Sequence, residues 1–203
     1  MSSNTSALGS SKDESPGLSD PTFRSYSSAQ ATAYAAQRGG YKNALIEQVL
    51  SLHQSAGGSF DVVLDVGTGT GQVIRDVGPF FKTAFGVDPG VEMIAKARAI
   101  GGTTRTGNDI EFLTCAAEDL DCLSQVKHGS VNLITAGMAV SAFWHRLVCF
   151  NNGRSQHTEF AKAHWFDMPK FWAAAARILS PGGTVALWTK SSYYCRESQQ
   201  AAH

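Results

Sequence analysis

The chain has 203 residues, 43% of them hydrophobic, and 17 lysine and arginine residues balance 17 aspartate and glutamate residues. This composition predicts one domain with a substantial core, and no basic field to recruit nucleic acid or a membrane surface. Four cysteines, at positions 115, 122, 149 and 195, lack zinc-ligand or disulfide spacing, so we expect reduced thiols and no metal site. Residues 1–22 are serine-rich and lack the apolar core of a signal peptide, which predicts a disordered tail and a cytoplasmic protein.

Hydrophobic periodicity predicts helices and strands that alternate along the rest of the chain, residues 23–203. Two helices, over residues 27–38 and 42–52, come before the first strand. The predicted strands cover residues 62–64, 84–88, 110–114, 131–135 and 184–189, and the helices between them cover 73–81, 91–100 and 171–179. Strands that alternate with helices predict a doubly wound α/β fold with a parallel sheet.

A glycine-rich loop follows the first strand and is the most informative stretch of the chain. It carries Asp65 and three alternate glycines, Gly67, Gly69 and Gly71. Glycines permit a positive φ and a close approach of the backbone to a ligand, and amides at the start of the next helix attract negative charge. The dinucleotide fingerprint G-x-G-x-x-G would need a third glycine where the chain has Gln72. The loop therefore predicts a nucleotide-type cofactor other than a nicotinamide dinucleotide.

A second acidic residue, Asp88, ends the second predicted strand, 23 positions after Asp65. A carboxylate at this position can accept hydrogen bonds from both hydroxyls of a ribose. Asp88 precedes Pro89, so it could instead cap the next helix. The two roles can coexist.

The order of these motifs resembles that of class I S-adenosylmethionine-dependent methyltransferases. The similarity includes the loop at 65–71, Asp88, the A-A-E-D-L segment at 116–120 and the R-x-L-x-P-G-G pattern at 177–183. It implies a Rossmann-like, mostly parallel sheet and S-adenosylmethionine as the cofactor. By this resemblance the cofactor contacts would come from Asp65 (methionine ammonium), from the loop at Gly67, Thr68, Gly69 and Gly71, from Asp88 (ribose), and from Ala117 and Glu118 (adenine). Glu118 could instead be only a charge at a helix start.

Within the class, the chain is similar to fungal trans-aconitate methyltransferase-like proteins, which implies a small-molecule acceptor. Residues 34–41 resemble the pattern Y-x-x-x-R-P-x-Y, although Gly39 replaces the proline, and H-W-F-D occurs at 164–167. The resemblance implies that Tyr34 covers the cofactor, that Arg38 pairs with a substrate carboxylate, and that Trp165 forms an apolar wall. His164 would be the catalytic base if the acceptor were a hydroxyl or an amine. Simple packing or helix capping is the alternative for these side chains.

Two departures from the family concern residues 140–162 and the end of the chain. Relatives connect position 139 almost directly to 163, and the 69 nucleotides that would encode the extra segment suggest a retained intron more than an evolved lid. Only a polar stretch, residues 190–203, follows the fifth predicted strand, so we expect the last strands of the class to be missing. The fifth strand would then be an apolar edge.

These observations leave three hypotheses of different kinds. The first is methyl transfer to a small-molecule acceptor, for which a carboxylate would need no base. The second is an inactive truncated or intron-retaining fragment of such an enzyme. The third is a non-catalytic partner protein that uses residues 140–162 for interaction, although no motif indicates a protein partner.

Overall fold

The computed structural model describes residues 27–37, 43–137, 148–151, 154–155 and 166–188. The α-helices are α1 (Ser28–Gln37), α2 (Asn43–Ser55), α3 (Gln72–Val77), α4 (Val91–Ile100) and α5 (Met168–Ile178). The strands are β1 (Val62–Val66), β2 (Thr83–Asp88), β3 (Glu111–Thr114), β4 (Val131–Gly137), β5 (Val148–Asn151), β6 (Arg154–Ser155) and β7 (Leu179–Trp188). Short 3₁₀ turns cover Gly78–Phe80 and Ala117–Cys122, and the second is called the 3₁₀ segment below.

The strands form one sheet in the order β3-β2-β1-β4-β7-β5-β6. The first five in this order are parallel, and β5 pairs antiparallel with both β7 and β6. The chain moves outward from β1 to β2 and β3, then returns to β4 on the other side of β1. This reversal creates a crevice at the carboxyl ends of β1 and β4, where open α/β sheets bind their ligands. The predicted doubly wound, mostly parallel sheet is confirmed.

Successive residues of the strands pack on opposite faces of the sheet, as the pleat requires. On β1, Val63 packs with apolar side chains of α2, α3 and α4, whereas Leu64 packs with those of α5 and the 3₁₀ segment. Both faces are therefore covered, which explains why the central strands are nearly continuous apolar runs.

A buried histidine anchors the end of α2 to the sheet. His53 is fully buried, and its Nε2 lies 2.8 Å from the Ser59 carbonyl oxygen and its Nδ1 lies 2.9 Å from Thr184 Oγ1. Because a carbonyl can only accept, Nε2 carries the proton and Nδ1 accepts from the threonine hydroxyl. Burial lowers the pKa of His53, so the neutral ring is favoured.

The helix after the glycine loop is shorter than predicted. The periodicity predicted a helix over residues 73–81, but α3 ends at Val77 and continues as a 3₁₀ turn. Gly78 and Pro79 account for this break, because glycine has low helix propensity and proline supplies no N–H donor.

The S-P-G-G stretch at 180–183 lies inside β7, where the register with β4 is interrupted. Val131 of β4 faces Leu179, but Leu133 already faces Thr184. Residues 180–183 of β7 lie between these two pairs, opposite a single residue of β4. Gly182 has a φ of 78° in this stretch. The stretch is therefore an irregularity between two parts of β7 that both pair parallel with β4.

The expectation that the last predicted strand would form an exposed edge is wrong. Three residues of β5 pair with β7, in the register Val148 to Leu187, Cys149 to Ala186 and Phe150 to Val185. Because β5 belongs to the unusual segment 140–162, that segment supplies the backbone partner that was thought to be missing. Residues 1–26 and 189–203 lie outside the described part of the chain, so the predicted tail and missing final strands stay predictions. Among the described helices, none has the length and apolar character needed to cross a membrane.

Candidate functional site

The glycine loop is a tight turn held against the end of β2. The Thr68 N–H donates to the Val87 carbonyl at 2.9 Å, and the Gly71 N–H donates to the Thr68 carbonyl at 2.9 Å. The three glycines have φ values of 66° at Gly67, 56° at Gly69 and 87° at Gly71, in the left-handed region that other residues avoid. A Cβ added at Gly69 would meet no atom within 4 Å. The loop is therefore open at Gly69, where a ligand could approach the backbone.

Gly71 is required by packing behind the loop. A Cβ there would lie 2.7 Å from Arg75 Nη1 and 2.8 Å from Phe112 Cε1. Arg75 Nη2 donates to the Thr70 carbonyl at 2.8 Å and so braces the loop from α3. The sequence interpretation missed Arg75, whose helical position gave no signal of a contact with the loop. Contact between Gly71 and a cofactor stays a prediction.

Asp88 joins the loop to the start of α4. Its Oδ2 accepts from the Gly69 N–H at 2.9 Å, and its Oδ1 accepts from the Gly90 N–H at 2.8 Å. The N-cap of α4 is Gly90, and no side chain caps this helix, so the alternative that Asp88 caps α4 is wrong. Asp88 instead binds the N–H of the N-cap residue. Each carboxylate oxygen has a further lone pair, which leaves the ribose role open. The Gly69 N–H already has a partner, so a cofactor carboxylate could only share it.

Asp65 is a buried carboxylate between two neighbouring strands. It is 1% exposed, and its Oδ1 accepts from the Thr135 hydroxyl at 2.6 Å. The parallel register places Thr135 opposite Asp65 across β1 and β4. The Asp65 Oδ2 and the Thr68 hydroxyl are also buried, and neither has a partner in good hydrogen-bond geometry, although Thr68 is close enough to Asp65 to lower its pKa. Two polar atoms are thus left for a ligand, because buried polar groups normally have partners.

Burial raises the pKa of Asp65 to about 7. Hydrogen bonding by Thr135 and Thr68 opposes this rise, and the negative charges of Asp88 and Asp76 add to it. A cation bound beside this carboxylate would remove much of the cost of its ionisation. The raised pKa and the unpartnered oxygen agree in indicating a positively charged ligand group.

The 3₁₀ segment lies between β3 and the following loop and packs against α5. Ala117 is buried in the core shared with α5. The Glu118 Oε1 accepts from the Asp167 N–H at 2.7 Å. Asp167 is the N-cap of α5, where its side chain accepts from the Lys170 N–H at 3.3 Å. Glu118 is therefore hydrogen-bonded to the start of α5, and its predicted adenine contact stays untested.

The acceptor side of the predicted site is mostly outside the described residues. Arg38, His164 and Trp165 fall there, so their predicted roles stay predictions. Tyr34 belongs to α1, and the structure describes the backbone of this residue but not its side chain, so its predicted role stays a prediction. Sequence interpretation also missed Thr135, although a polar residue in the apolar run of β4 was an available signal.

Two of the four cysteines lie in described positions with described side chains. Cys115 is half-buried, Cys122 is exposed, and both are free thiols. Burial raises the pKa of Cys115 to about 11, so this thiol is protonated and unreactive at neutral pH.

Comparison with known proteins agrees with this geometry. Residues 63–153 match a family described as a methyltransferase domain. A Saccharomyces cerevisiae protein named as a probable S-adenosylmethionine-dependent methyltransferase is 24% identical over 78% of this chain and 45% of its own length. A Dictyostelium discoideum protein assigned as a methyltransferase is 29% identical over 64% of this chain and 36% of its own length. The chain thus spans less than half the length of the curated relatives it matches.

Solved structures share the fold. One from Anaeromyxobacter dehalogenans, assigned as a type II methyltransferase, has a TM-score of 0.51 at 25% identity, over 76% of this chain and 49% of that one. An S-adenosylmethionine-dependent methyltransferase from Clostridium acetobutylicum has a TM-score of 0.50 at 18% identity, over 76% of this chain and 52% of that one. The family match, the relatives, the sheet order and the glycine loop support a class I, Rossmann-like methyltransferase. The cofactor of this class is S-adenosylmethionine.

Proposed function

We propose that the chain transfers the methyl group of S-adenosylmethionine to a small-molecule carboxylate. One observation carries the cofactor part of the proposal: the unpartnered, buried Asp65 Oδ2 beside a glycine loop that is open at Gly69. An ammonium group near Asp65 and a ribose near Asp88 fit these residues. The likeness to trans-aconitate methyltransferase-like proteins supports the carboxylate acceptor.

The protein's own groups need to bind, orient and exclude water more than to move protons. S-adenosylmethionine, when bound, supplies an electrophilic methyl group whose leaving group is a neutral thioether. Asp65 would hold the ammonium end and Asp88 the ribose, which fixes the methyl group for in-line attack by an acceptor oxygen. A carboxylate acceptor is already an anion at neutral pH, so it requires no general base. His164 would matter as a base only for a hydroxyl or an amine acceptor.

Methyl transfer to a carboxylate can be tested with tritiated S-adenosylmethionine and a panel of small di- and tricarboxylic acids, including trans-aconitate. The expected product is a methyl ester, so mild base should release the label as volatile methanol. Matched amides of the same acids should accept no label. Label that is stable to base would indicate an oxygen or nitrogen acceptor of another kind and would contradict the carboxylate proposal.

The location of the protein is a further part of the proposal. Small carboxylates and S-adenosylmethionine are soluble metabolites, so we propose a cytoplasmic site of action.

A further inference from the structure

We infer that Glu118 is a positioning residue that fixes the 3₁₀ segment on α5 and acts on the cofactor only through that segment. The inference rests on the proposed function, because it concerns how the cofactor site is held. Glu118 stands in the segment that a resemblance would assign to adenine. Its carboxylate has a different partner in this structure.

The first observation is the direction of the Glu118 hydrogen bond. Oε1 accepts from the Asp167 N–H at 2.7 Å, across 49 positions of sequence. The first N–H groups at a helix start have no partner within the helix, and the Asp167 side chain satisfies another of these, that of Lys170. A carboxylate at this end also interacts favourably with the helix dipole. Glu118 thus completes the cap of α5 from outside the helix.

The second observation is that α5 holds the 3₁₀ segment at its other end as well. Asp121 forms an ion pair with Arg177, which lies in the last turn of α5. Between these two polar contacts, Ala117 and Leu120 are buried in the core that contains Phe171. The segment is therefore attached to α5 at both ends and along its length.

These contacts give different roles to Ala117 and Glu118, both of which the family resemblance assigns to adenine binding. Ala117 is buried in the core shared with α5, and it follows β3 by three residues; the last residue of β3, Thr114, pairs with Asp88 at the end of β2. Glu118, the next residue, uses its side chain to hold this backbone in place. Loss of the Glu118 carboxylate would release the segment beside Ala117, whereas loss of Asp121 would release the far end.

The test compares two ligands in the wild type and in two variants at position 118. Affinities of S-adenosylhomocysteine and S-inosylhomocysteine, which has a keto group instead of the adenine amino group, are measured for wild type, Glu118→Ala and Glu118→Gln. We expect Glu118→Ala to weaken both ligands by the same factor, about fivefold, since the lost bond is a single partly exposed hydrogen bond. Glu118→Gln keeps an acceptor oxygen and should restore affinity to within about twofold of wild type.

Asp121→Ala is the matched control, because it removes the other polar contact between the same two elements. It should lower thermal stability about as much as Glu118→Ala but leave affinity unchanged. Exchange of the Asp167 amide hydrogen, followed by NMR, should accelerate in Glu118→Ala and not in Glu118→Gln.

Three results would overturn the inference. A loss in Glu118→Ala for S-adenosylhomocysteine alone would mean that Glu118 contacts the adenine amino group. Equal losses in Glu118→Ala and Asp121→Ala, or unchanged affinity in both, would mean that its role is only stability. Failure of the wild type to bind S-adenosylhomocysteine would instead reject the proposed function itself.

Discussion

At the scale of single residues, Asp65 carries the strongest conflict between stability and function. The carboxylate is buried, has one oxygen bound to Thr135, and leaves the other without a partner. The folded protein therefore bears a desolvation cost that a bound ammonium would offset. Its position next to an apolar run was readable from the sequence, but its place inside β1 and the raised pKa that burial causes could be known only from the structure.

Asp65→Asn should stabilise the protein and weaken cofactor binding at the same time. The folded pKa of about 7 lies above the ordinary value of 3.8, so the folded state binds the proton more tightly. The wild type therefore loses stability as the pH rises from about 4 through 7. The asparagine variant escapes this loss and should gain up to about 4 kcal/mol at pH 8, with little gain at pH 4. Urea unfolding at the two pH values tests the gain, and calorimetry should show at least about tenfold weaker S-adenosylhomocysteine binding.

Thr135→Val should shift the pH dependence of cofactor binding. An ammonium ligand binds the ionised form of Asp65, so affinity should rise as the pH increases through about 7. Loss of the Thr135 hydroxyl removes a hydrogen bond to that ionised form, and about 1.4–2.7 kcal/mol corresponds to a midpoint one to two units higher. Thr135→Ser should restore the wild-type midpoint. An unchanged midpoint in the valine variant would show that the hydroxyl does not tune Asp65.

At the scale of elements, the hydrophobic pattern predicted the helices and parallel strands better than it predicted where they end. Helix α4 begins and ends where its apolar spacing predicted, whereas α3 stops early at Gly78 and Pro79. The antiparallel strand β5 was not predicted, because its pairing with β7 is a long-range contact that local propensity does not encode. The contact from Glu118 to α5 was missed for the same reason.

Gly58→Ala should test the anchor between α2 and the sheet. A Cβ at Gly58 would lie 2.1 Å from Cε1 of His53. The His53 ring is fully buried and packs against Phe60 and Phe81, so it has no room to move away. We expect the free energy of unfolding to fall by about 3 kcal/mol, which is the upper end of the usual cost of overpacking a core. Gly57→Ala is the matched control, since Gly57 has φ 79° but no atom near its added Cβ, and should cost about 1 kcal/mol. Chemical denaturation that ranks the two variants in the opposite order would exclude crowding of His53 as the cause.

Deletion of residues 140–162 should harm the protein, whereas removal of a retained intron would be expected to improve it. The deletion removes β5 and exposes the β7 edge, so the melting temperature and solubility should both fall. A matched variant that replaces residues 156–162 with a glycine-serine linker of equal length keeps the strand and should keep both properties. A deletion variant that is more soluble and more stable than the full chain would support the intron interpretation.

At the scale of the whole molecule, the sheet order explains why one end of the domain carries the site. The order in which the chain adds strands to the sheet reverses beside β1. The carboxyl ends of the parallel strands β1 and β2 bring Asp65, the glycine loop and Asp88 together. The proximity of these groups was predictable, because each motif lies in a local stretch at the end of a strand. Their contacts with a cofactor stay predictions. The predicted acceptor residues Arg38, His164 and Trp165 lie outside the described residues, so their roles stay predictions.

Titration calorimetry of the wild-type chain with S-adenosylhomocysteine, and separately with NAD⁺, tests the central claim most directly. The account predicts saturable one-to-one binding of S-adenosylhomocysteine and at least about tenfold weaker binding of NAD⁺. Gly67→Val places a β-branched side chain at φ 66° beside the ligand, so it should also lose at least about tenfold, or about 1.4 kcal/mol, with the fold retained by circular dichroism. Tighter binding of NAD⁺, or equal S-adenosylhomocysteine affinity in wild type and Gly67→Val, would contradict the assignment of this loop as the cofactor site.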